Sequence, residues 1–405
     1  MVPTLPSLDC CGCSACANVC PHDAISMVEN REGFLAPYVN ANCCVGCLAC
    51  ERACPVLHQV NKSHEEVPLA YAARIKDEKV LKLSSSGGIF SALALSVIQK
   101  GGLVFGAAFD ESLKLHYASA ETDAELAALR GSKYLQASVD FSYRSVKSAL
   151  EEGRIVLFSG TPCQIAGLYG FLGNGDYPRL LTVDVVCHGV PSPKVFRKYI
   201  RERESVERGR IQRVRFRDKV EGWKNFSVAA LLKPETEGLN TDLGDGRVEK
   251  TTLFSEDLFM RAFLSNICLR PSCHACHYNQ LPRVADITLG DYWGVEKVHP
   301  ELDDDLGVSL VLVNSQRGAK AWAEIQSDIM SVPSNLRKAI RFNPCIYGSS
   351  KAHKQRGLFF ERLDGNPLGQ LVKVYCKRPS SVELYWREII GWTRSFLAIV
   401  FSRNH

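Results

Sequence analysis

Short apolar runs alternate with segments of helical period along the chain after residue 66. The apolar runs, which have the length of buried strands, lie at residues 69–73, 103–109, 155–158, 180–186 and 306–313. The segments with a helical period lie at residues 89–99, 124–129 and 143–152. Strands that alternate with helices are typical of βαβ units, so this pattern predicts an α/β core with a mainly parallel sheet.

Smaller elements are predicted on either side of this core. They are a hairpin formed by residues 23–28 and 34–39 around the turn at 30–33, strands at 211–232 and 248–254 around a polar loop at 234–246, and a helix that continues through Met330. The polar stretch 59–66 predicts a linker between an N-terminal module and the main body.

Composition and charge narrow the class of protein. The chain has 405 residues, of which 46% are hydrophobic and 23% are charged, as in folded globular proteins. This length exceeds that of a typical single domain, so two or three units are expected. The net charge is only +5, without a long run of Lys and Arg, and we therefore expect no nucleic-acid partner.

Cysteine usage indicates a reducing compartment. The chain contains 17 cysteines, and ten of them precede residue 55. The first six residues lack the basic and apolar segments of a signal peptide. No apolar run reaches the roughly 18 residues of a membrane-spanning helix. We therefore expect a cytoplasmic protein with reduced thiols.

The cysteines near the N-terminus form two copies of one motif. Residues 10–21 and 44–55 both read C-x2-C-x2-C-x3-C-P, and every matching cysteine is offset by 34 residues. This run is typical of bacterial ferredoxins that bind 4Fe-4S clusters, in which the fourth cysteine ligates the other cluster. The motif therefore predicts two clusters, one held by Cys10, Cys13, Cys16 and Cys54, and one held by Cys20, Cys44, Cys47 and Cys50. Zinc is the alternative, but its CxxC pairs usually lie far apart.

A second group of cysteines follows the predicted core strands. Cys163 and Cys187 each follow a strand, and Cys273 and Cys276 form a CxxC pair. Ligand sites gather at the carboxyl ends of parallel strands, so the first two thiols are expected to face one crevice. Together the four suffice for a third 4Fe-4S cluster or a zinc ion, while isolated cysteines are also often small buried hydrophobes.

Neighbouring polar residues leave further alternatives open. Cys268 is a possible substitute ligand, and Cys11, Cys43, Cys345 and Cys376 are interpreted as structural or incidental. The histidines at 188, 274 and 277 are expected beside the metal ligands rather than among them. Asp286 and Asp291 either hold a cofactor hydroxyl or cap a loop.

Two other stretches have both a functional and a structural interpretation. The turn at residues 84–88, Ser-Ser-Ser-Gly-Gly, precedes a helix and suits a phosphate, but Ser and Gly also simply cap helices. Residues 382–401 combine aromatic and aliphatic side chains with arginines. They suit either an interfacial membrane helix at the inner face of the membrane or a helix packed on the body or on a partner subunit.

Several motifs, in this order, resemble the coenzyme F420 hydrogenase/dehydrogenase beta-subunit family, in its version with an N-terminal ferredoxin module. The motifs are SSGGIF at residues 85–90, GSKYLQ at 131–136, GTPCQIAGL at 160–168, DVVCHGVPSP at 184–193, LRPSC at 269–273 with Cys276, and ADITLGD at 285–291. The resemblance extends to about residue 330, and the C-terminal extension lies outside it.

The resemblance implies FAD and a third 4Fe-4S cluster beside it. Its cluster ligands would be Cys163, Cys187, Cys273 and Cys276. The flavin-binding candidates that it implies are Ser86, Gly87, Gly88, Ser132, Lys133, Tyr134, Thr161 and Gln164. The domains expected on this basis are a two-cluster ferredoxin module at 1–58, a flavin domain in two parts at 67–150 and 151–330, and a C-terminal extension at 331–405.

The expected function follows from these cofactors. A flavin accepts a hydride as two electrons, whereas each cluster carries one, so a protein with both converts between the two. The leading hypothesis is an oxidoreductase that exchanges electrons with ferredoxin or another redox protein and a hydride with deazaflavin F420 or an organic substrate. The alternative is a non-catalytic electron-transfer subunit of a larger complex, possibly linked to polysaccharide biosynthesis. A zinc-bearing scaffold is a third hypothesis. No catalytic side chain is assigned.

Overall fold

The computed structural model describes residues 8–58, 60, 67–173, 175–234 and 246–376. Its strands are β1 Ile25–Glu29, β2 Leu35–Val39, β3 Leu69–Ile75, β4 Leu103–Phe109, β5 Leu115–Ala120, β6 Val156–Gly160, β7 Leu180–Val185, β8 Gly209–Asp218, β9 Ser227–Pro234, β10 Val248–Leu253, β11 Ile287–Asp291, β12 Ser309–Val313 and β13 Ile329–Ser334. Its α-helices are α1 Ala15–Val19, α2 Ala49–Arg52, α3 Glu78–Leu83, α4 Ile89–Gln99, α5 Asp123–Leu129, α6 Ser142–Glu151, α7 Pro162–Phe171, α8 Pro193–Glu207, α9 Leu258–Leu264, α10 Val295–Val298, α11 Gln316–Glu324, α12 Leu336–Arg341, α13 Arg356–Arg362 and α14 Leu368–Tyr375. Short 3-10 helices lie at Pro271–Ala275, Pro300–Leu302 and Pro344–Ile346.

The largest sheet has the strand order β13-β3-β12-β11-β7-β6-β4-β5. Its central strands β4, β6, β7 and β11 pair in parallel. β3 runs in the same direction, because β12 is antiparallel to both β11 and β3. The predicted α/β fold is confirmed, and five of the eight strands in this sheet share one direction.

The two edges of the sheet are antiparallel, and the sequence pattern did not reveal them. β5 forms a hairpin with β4, and β13 pairs with β3. The prediction of a helix through Met330 is wrong, since α11 ends at Glu324 and Met330 lies in β13. β13 contains Pro333, which a sheet tolerates at its edge, where one side of the strand needs no backbone donor.

The shared direction of the strands gathers several chemically active residues at one edge. Cys163 follows the carboxyl end of β6, and Cys187 follows that of the adjacent strand β7. Asp291 ends β11, where it pairs with Ser309 at the start of β12. The Ser-Gly turn reaches the same edge, because the backbone N–H of Gly87 donates to the Ser309 hydroxyl at 3.0 Å. This is the edge at which parallel α/β sheets bind ligands.

Apolar side chains cover both faces of the sheet. On one face the strands pack against α4, α5 and α11 through residues such as Leu93, Leu126 and Trp322. On the other face they pack against α6, α7 and α8, together with the small antiparallel sheet β8–β10. Burial of this surface is the main favourable contribution to folding.

The N-terminal hairpin β1–β2 and its two cysteine loops lie against the main body. Helix α7 approaches them closely, because two of its residues are glycines. A Cβ atom on Gly167 would lie 2.9 Å from the Cys13 sulfur, and one on Gly170 would lie 2.3 Å from the carbonyl oxygen of Ala53. Both positions therefore require a residue without a side chain.

Arginine contacts join the same two parts of the chain. Arg270, which is 4% exposed, donates to the carbonyls of Cys10 at 2.7 Å and Leu35 at 2.9 Å. Arg144 of α6, which is partly exposed, donates to the carbonyls of Asn18 at 2.8 Å and Cys20 at 3.0 Å. These donors satisfy loop carbonyls and so hold the cysteine loops on the body.

The C-terminal extension is described as far as residue 376, where α12, α13 and α14 pack on the body. The predicted amphipathic stretch 382–401 lies outside the described residues, so its membrane contact stays a prediction. Among the described residues, no helix is both long and apolar enough to cross a bilayer.

A fully buried ion pair lies below the carboxyl edge of the sheet. The Arg283 guanidinium is 3.1 Å from the Asp184 carboxylate, and neither side chain has any exposed surface. Arg283 also donates to the carbonyls of Val185 at 3.2 Å and Tyr278 at 3.0 Å. It thus connects the end of β7 to the loop that follows the CxxC pair.

We expect Arg283→Met to lower the free energy of unfolding by about 3–5 kcal/mol, because it leaves a buried carboxylate without its cation. Urea unfolding followed by circular dichroism under anaerobic conditions measures this loss. Arg154→Met is the control, since the Arg154–Glu121 pair is largely exposed and should contribute less than about 1 kcal/mol. Equal losses in the two variants would contradict the assignment.

Candidate functional site

The two cysteine runs fold into the same turn. Gly12 and Gly46 have φ angles of 70° and 71°, and two residues later Ser14 and Leu48 have φ angles of 66° and 59°. A left-handed conformation is favourable for glycine and unusual for Leu. The repeat at an offset of 34 residues is therefore a repeat of backbone conformation as well as of sequence.

The turns bring the eight cysteines into two pockets, and each pocket takes one cysteine from the other run. The inner pocket contains Cys10, Cys13, Cys16 and Cys54, and the outer pocket contains Cys20, Cys44, Cys47 and Cys50. This is the grouping expected from the ferredoxin motif, in which the fourth cysteine crosses over. Backbone amides point at sulfur in both pockets, from Gly12 to Cys10 at 3.4 Å and from Ala24 to Cys20 at 3.3 Å.

The two pockets differ in exposure. Cys13, Cys16 and Cys54 in the inner pocket are buried, whereas Cys47 in the outer pocket is exposed. Burial raises the pKa of the Cys16 thiol to about 12, so thiolates in this pocket need a cation beside them. A metal cluster supplies that cation, and these pockets therefore fit iron–sulfur clusters.

Within the part of the chain that the structure describes, no three Cys, His, Asp or Glu side chains converge closely enough to hold a single metal ion.

The third cysteine group consists of Cys163, Cys187, Cys273 and Cys276. Burial raises the pKa of the Cys187 thiol, and the other three thiols lie close enough for charge on Cys273, Cys163 or Cys276 to raise it further. The amide of Val190 donates to the Cys273 sulfur at 3.4 Å. The Thr161 hydroxyl, which donates to Gln164 at 2.9 Å, lies 3.2 Å from the Cys163 sulfur. The four thiols predicted to hold the third cluster therefore lie in one neighbourhood.

Cys268 does not join this group. It is fully buried in the main apolar core. Burial raises the pKa of its thiol, and charge on Cys376 raises it further. Its neighbours are apolar, which fits the structural interpretation of this residue.

Cys11 had been set aside as incidental, but it occupies a special position. It lines the inner pocket, and its thiol lies close enough to Cys13 and to Cys163 of the third group for these thiols to shift its pKa, which is raised. The matching position in the second run is Val45, which is 63% exposed. Residues 10–21 thus contain a fifth thiol within the motif, whereas the extra cysteine of the second run, Cys43, precedes its motif and is exposed. The adjacent cysteines at 10 and 11 were visible in the sequence, but their role depends on which of the two runs packs against the body.

Six of the predicted flavin residues, at 86–88 and 132–134, lie in two connected turns at the carboxyl edge of the sheet, and Thr161 and Gln164 follow β6 at the same edge. The Ser85 hydroxyl accepts a bond from the amide of Ser132 at 2.7 Å, which joins the Ser-Gly turn to the loop at 131–134. The Ser86 hydroxyl donates to the carbonyl of Val308 at 2.9 Å. A Cβ on Gly87 would lie 2.3 Å from the carbonyl oxygen of Ala73, so this glycine is needed for packing. Gly88, with φ 77°, precedes α4 without a side-chain cap.

The Lys133 ammonium already has protein partners. It donates to the carbonyls of Leu129, Arg130 and Gly131 at 2.8 to 3.2 Å, and so caps the carboxyl end of α5. Burial lowers the pKa of Lys133 to about 7, whereas the carbonyl oxygens favour its charged form. This contact with the helix gives Lys133 a structural role beside any role toward a flavin.

Gln164 and Thr161 begin α7 as a capping pair. The Gln164 amide oxygen accepts from the backbone of Thr161 at 3.0 Å and from the Tyr117 hydroxyl at 2.9 Å. The Tyr134 ring stacks on Phe263 with centroids 4.8 Å apart. These residues position the turn that carries Cys163.

A cationic cluster that the sequence did not indicate faces the same edge. Arg217 of β8 is buried and binds the carboxylate of Asp291 at 2.6 Å and the Tyr134 hydroxyl at 3.2 Å. Its Nε atom is buried and has no hydrogen-bond partner among the described residues. Lys219 donates to the carbonyl of Ser86 at 2.9 Å, and burial lowers its pKa to about 8. The sequence around a charged residue in a strand does not show that the residue is buried, since most charged residues in strands point to solvent.

The other predicted polar residues have structural partners. His188 lies 2.6 Å from the side-chain oxygen of Asn266, and His274 lies 2.9 Å from the carbonyl of Ser350. Asp286 accepts from the hydroxyls of Thr182 at 2.8 Å and Ser315 at 2.6 Å, so it caps a loop.

Three sequence patterns match this chain. The beta subunit of coenzyme F420 hydrogenase/dehydrogenase matches at residues 70–140 with its N-terminal part and at 153–334 with its C-terminal part. The 4Fe-4S dicluster domain matches at residues 9–57. The chain belongs to the coenzyme F420 hydrogenase/dehydrogenase beta-subunit family. This confirms the resemblance and the ferredoxin-type N-terminal module.

Among solved structures, the chain is similar to a chain of the F420-reducing [NiFe] hydrogenase complex from Methanosarcina barkeri. The two are 18% identical, the match covers 74% of this chain and 94% of that one, and the TM-score is 0.45. None of the curated proteins matches this chain.

The crossed grouping of cysteines can be tested one cluster at a time. We expect Cys20→Ser to remove or alter one ferredoxin-type EPR signal, and Cys54→Ser to alter the other, because each removes one ligand from a different pocket. Cys43→Ser is the control, since Cys43 is exposed and lines neither pocket. If Cys20→Ser and Cys54→Ser altered the same signal, the grouping would be wrong.

Proposed function

We propose that this protein is an iron–sulfur flavoprotein oxidoreductase, which passes electrons between three 4Fe-4S clusters and FAD. The observation that carries the proposal is the close approach of α7 to the inner pocket: the first turn of this helix carries Cys163, and a Cβ on Gly167 one turn later would lie 2.9 Å from the Cys13 sulfur. Bound clusters would supply one-electron transfer, and FAD would supply hydride exchange.

The order of the centres follows from exposure and contact. The outer pocket opens to solvent through Cys47, so it is suited to exchange electrons with ferredoxin or another redox protein. The inner pocket lies between it and the body. Tyr278 supports this placement, because its hydroxyl donates to the carbonyl of Pro55 at 2.8 Å while its backbone amide lies 3.4 Å from the sulfur of Cys276. One residue thus touches the loops of both sites.

The chain's own residues favour a flavin at the carboxyl edge of the sheet. The start of α4, which has no side-chain cap, presents backbone amides that suit a phosphate. Lys219 lies beside the same turn and donates to the carbonyls of Leu81, Ser86 and Leu306, so it contributes positive charge rather than a free donor. The buried Arg217 Nε has no hydrogen-bond partner among the described residues and provides such a donor. These groups would hold an anionic cofactor, with Ser86, Gly87 and Gly88 as its turn.

The hydride partner is proposed to be coenzyme F420 or an organic substrate, since the family is described by F420 enzymes. A reducing compartment such as the cytoplasm would suit the thiols, which form no disulfides with one another. A non-catalytic subunit is the second candidate, because the family description is that of a beta subunit, and the similar solved chain comes from a hydrogenase complex.

The test is anaerobic purification with iron, sulfide and flavin quantified, followed by addition of reduced F420. About twelve irons per chain and one FAD that bleaches would support the deazaflavin-linked enzyme. Full cofactor content without bleaching would show that the hydride partner is not F420. Turnover of a substrate with a chemical electron donor would then distinguish an enzyme from an electron-transfer subunit. Iron without flavin would overturn the proposal.

Cys11→Val copies the matching residue of the other run and tests the contact between the two thiol groups. We expect all clusters to assemble, because the motif does not use Cys11, while electron transfer from the inner cluster to the third cluster slows. Rapid-freeze EPR after mixing with reduced ferredoxin measures this step. Val45→Ala, at the exposed matching position, serves as the control. An unchanged rate in Cys11→Val would show that this thiol has no part in the transfer.

A further inference from the structure

We infer that residues 343–356, here called the cover segment, close the third cysteine group and determine its redox potential and its resistance to oxygen. This inference rests on the proposed function, since it assumes a cluster at that group. The segment begins beyond residue 334, where the family match ends. It includes the short helix Pro344–Ile346 and reaches the first residue of α13.

The cover segment binds the loop that carries the CxxC pair. The Ser349 hydroxyl accepts a hydrogen bond from the backbone amide of Cys276 at 2.8 Å. The carbonyl of Ser350 lies 2.9 Å from Nδ1 of His274, the residue between the two cysteines. The segment therefore holds both the backbone and a side chain of this loop.

The same segment binds the loop after β7. The Ser350 hydroxyl donates to the carbonyl of His188, and the Cys345 sulfur lies 3.7 Å from Nδ1 of the same histidine. His188 follows Cys187 directly, so these contacts fix the position of a predicted ligand. Ser350 is buried, as expected for a group that separates this loop from solvent.

Asn279 joins the cover segment to both loops at once. Its side-chain amide donates to the carbonyls of Cys187 and Gly348, both at 3.3 Å, and its side-chain oxygen lies 3.7 Å from the Cys276 sulfur. Asn279 is buried, so losing a partner would leave a polar group without a hydrogen bond.

The far end of the cover segment reaches the ferredoxin module. Arg356 donates to the carbonyl of Leu269 at 2.9 Å, close to the CxxC loop, and to both carboxylate oxygens of Glu32 in the β1–β2 turn. A bidentate arginine–carboxylate contact fixes orientation as well as distance. The segment thus spans the third group and ends on the module that carries the other clusters.

These contacts give the cover segment two physical effects. It holds the loops of Cys187 and Cys273–Cys276 in place, as groups behind metal ligands do in other proteins. It also covers part of a group whose four cysteines are each only partly exposed, since its own Asn343 and Ser350 are buried. Solvent exposure is one of the quantities that set a cluster's potential. Water favours the reduced cluster, which carries more negative charge, so exposure raises the potential.

The experiment is Ser349→Ala in the full chain, with Cys345→Ala as a second variant in case the first does not fold. We expect the potential of the third cluster, from an EPR-monitored redox titration, to rise in both variants. We also expect its half-life in air to fall by roughly tenfold, the lower end of losses caused by removing groups behind metal ligands. The signals of the inner and outer clusters should not change.

Ser331→Ala is the matched control: Ser331 lies on the edge strand β13, away from β6 and β7 in the sheet, and its hydroxyl donates to the exposed Gln326 side chain. An unchanged third-cluster potential and air lifetime in both variants would overturn the inference while leaving the proposed function intact. Wild-type protein with about eight irons and no third EPR signal would instead overturn the third cluster itself, and the inference with it.

Discussion

The arrangement of the candidate centres depends on how the first cysteine loop is held against the body. Arg270 is the central contact: its buried guanidinium donates to the carbonyls of Cys10 and Leu35, and it lies 5.5 Å from the ring centroid of Phe34. Three residues further along the chain is Cys273, a predicted ligand of the third cluster. A single side chain therefore positions two thiol groups relative to each other, and a buried cation of this kind is costly to leave without its acceptors.

Helix α7 sets the distance between the same two groups. It carries Cys163 in its first turn and Gly167 one turn later, on the same side of the helix. Because Gly167 has no side chain, Cys13 packs directly against the helix below Cys163. Electron transfer between redox centres slows steeply with distance, so this close contact is the structural basis for the proposed route. The outer pocket, with its exposed Cys47 and Val45, remains open to a partner.

Local patterns in the sequence were sufficient to predict several elements of the structure. α4 and β4 occupy residues 89–99 and 103–109 as predicted, because their apolar patterns and glycine boundaries are strong. The spacing of the N-terminal cysteines was likewise enough to group them. β13 was missed because its Pro and Ser residues have low strand propensity, and only its position at the sheet edge makes it a strand. Arg217, Arg270 and Ser349 could not be found, since their roles depend on partners more than 70 residues away.

The central claim is that the inner cluster and the third cluster lie next to each other and exchange electrons directly. EPR spectroscopy of the fully reduced protein tests this claim most directly, because neighbouring paramagnetic centres broaden and split each other's signals. The account predicts three cluster signals, with magnetic coupling between the inner and third clusters that persists in Cys20→Ser protein, in which the outer cluster is altered. Three signals that add as isolated spins, or only two signals, would contradict it.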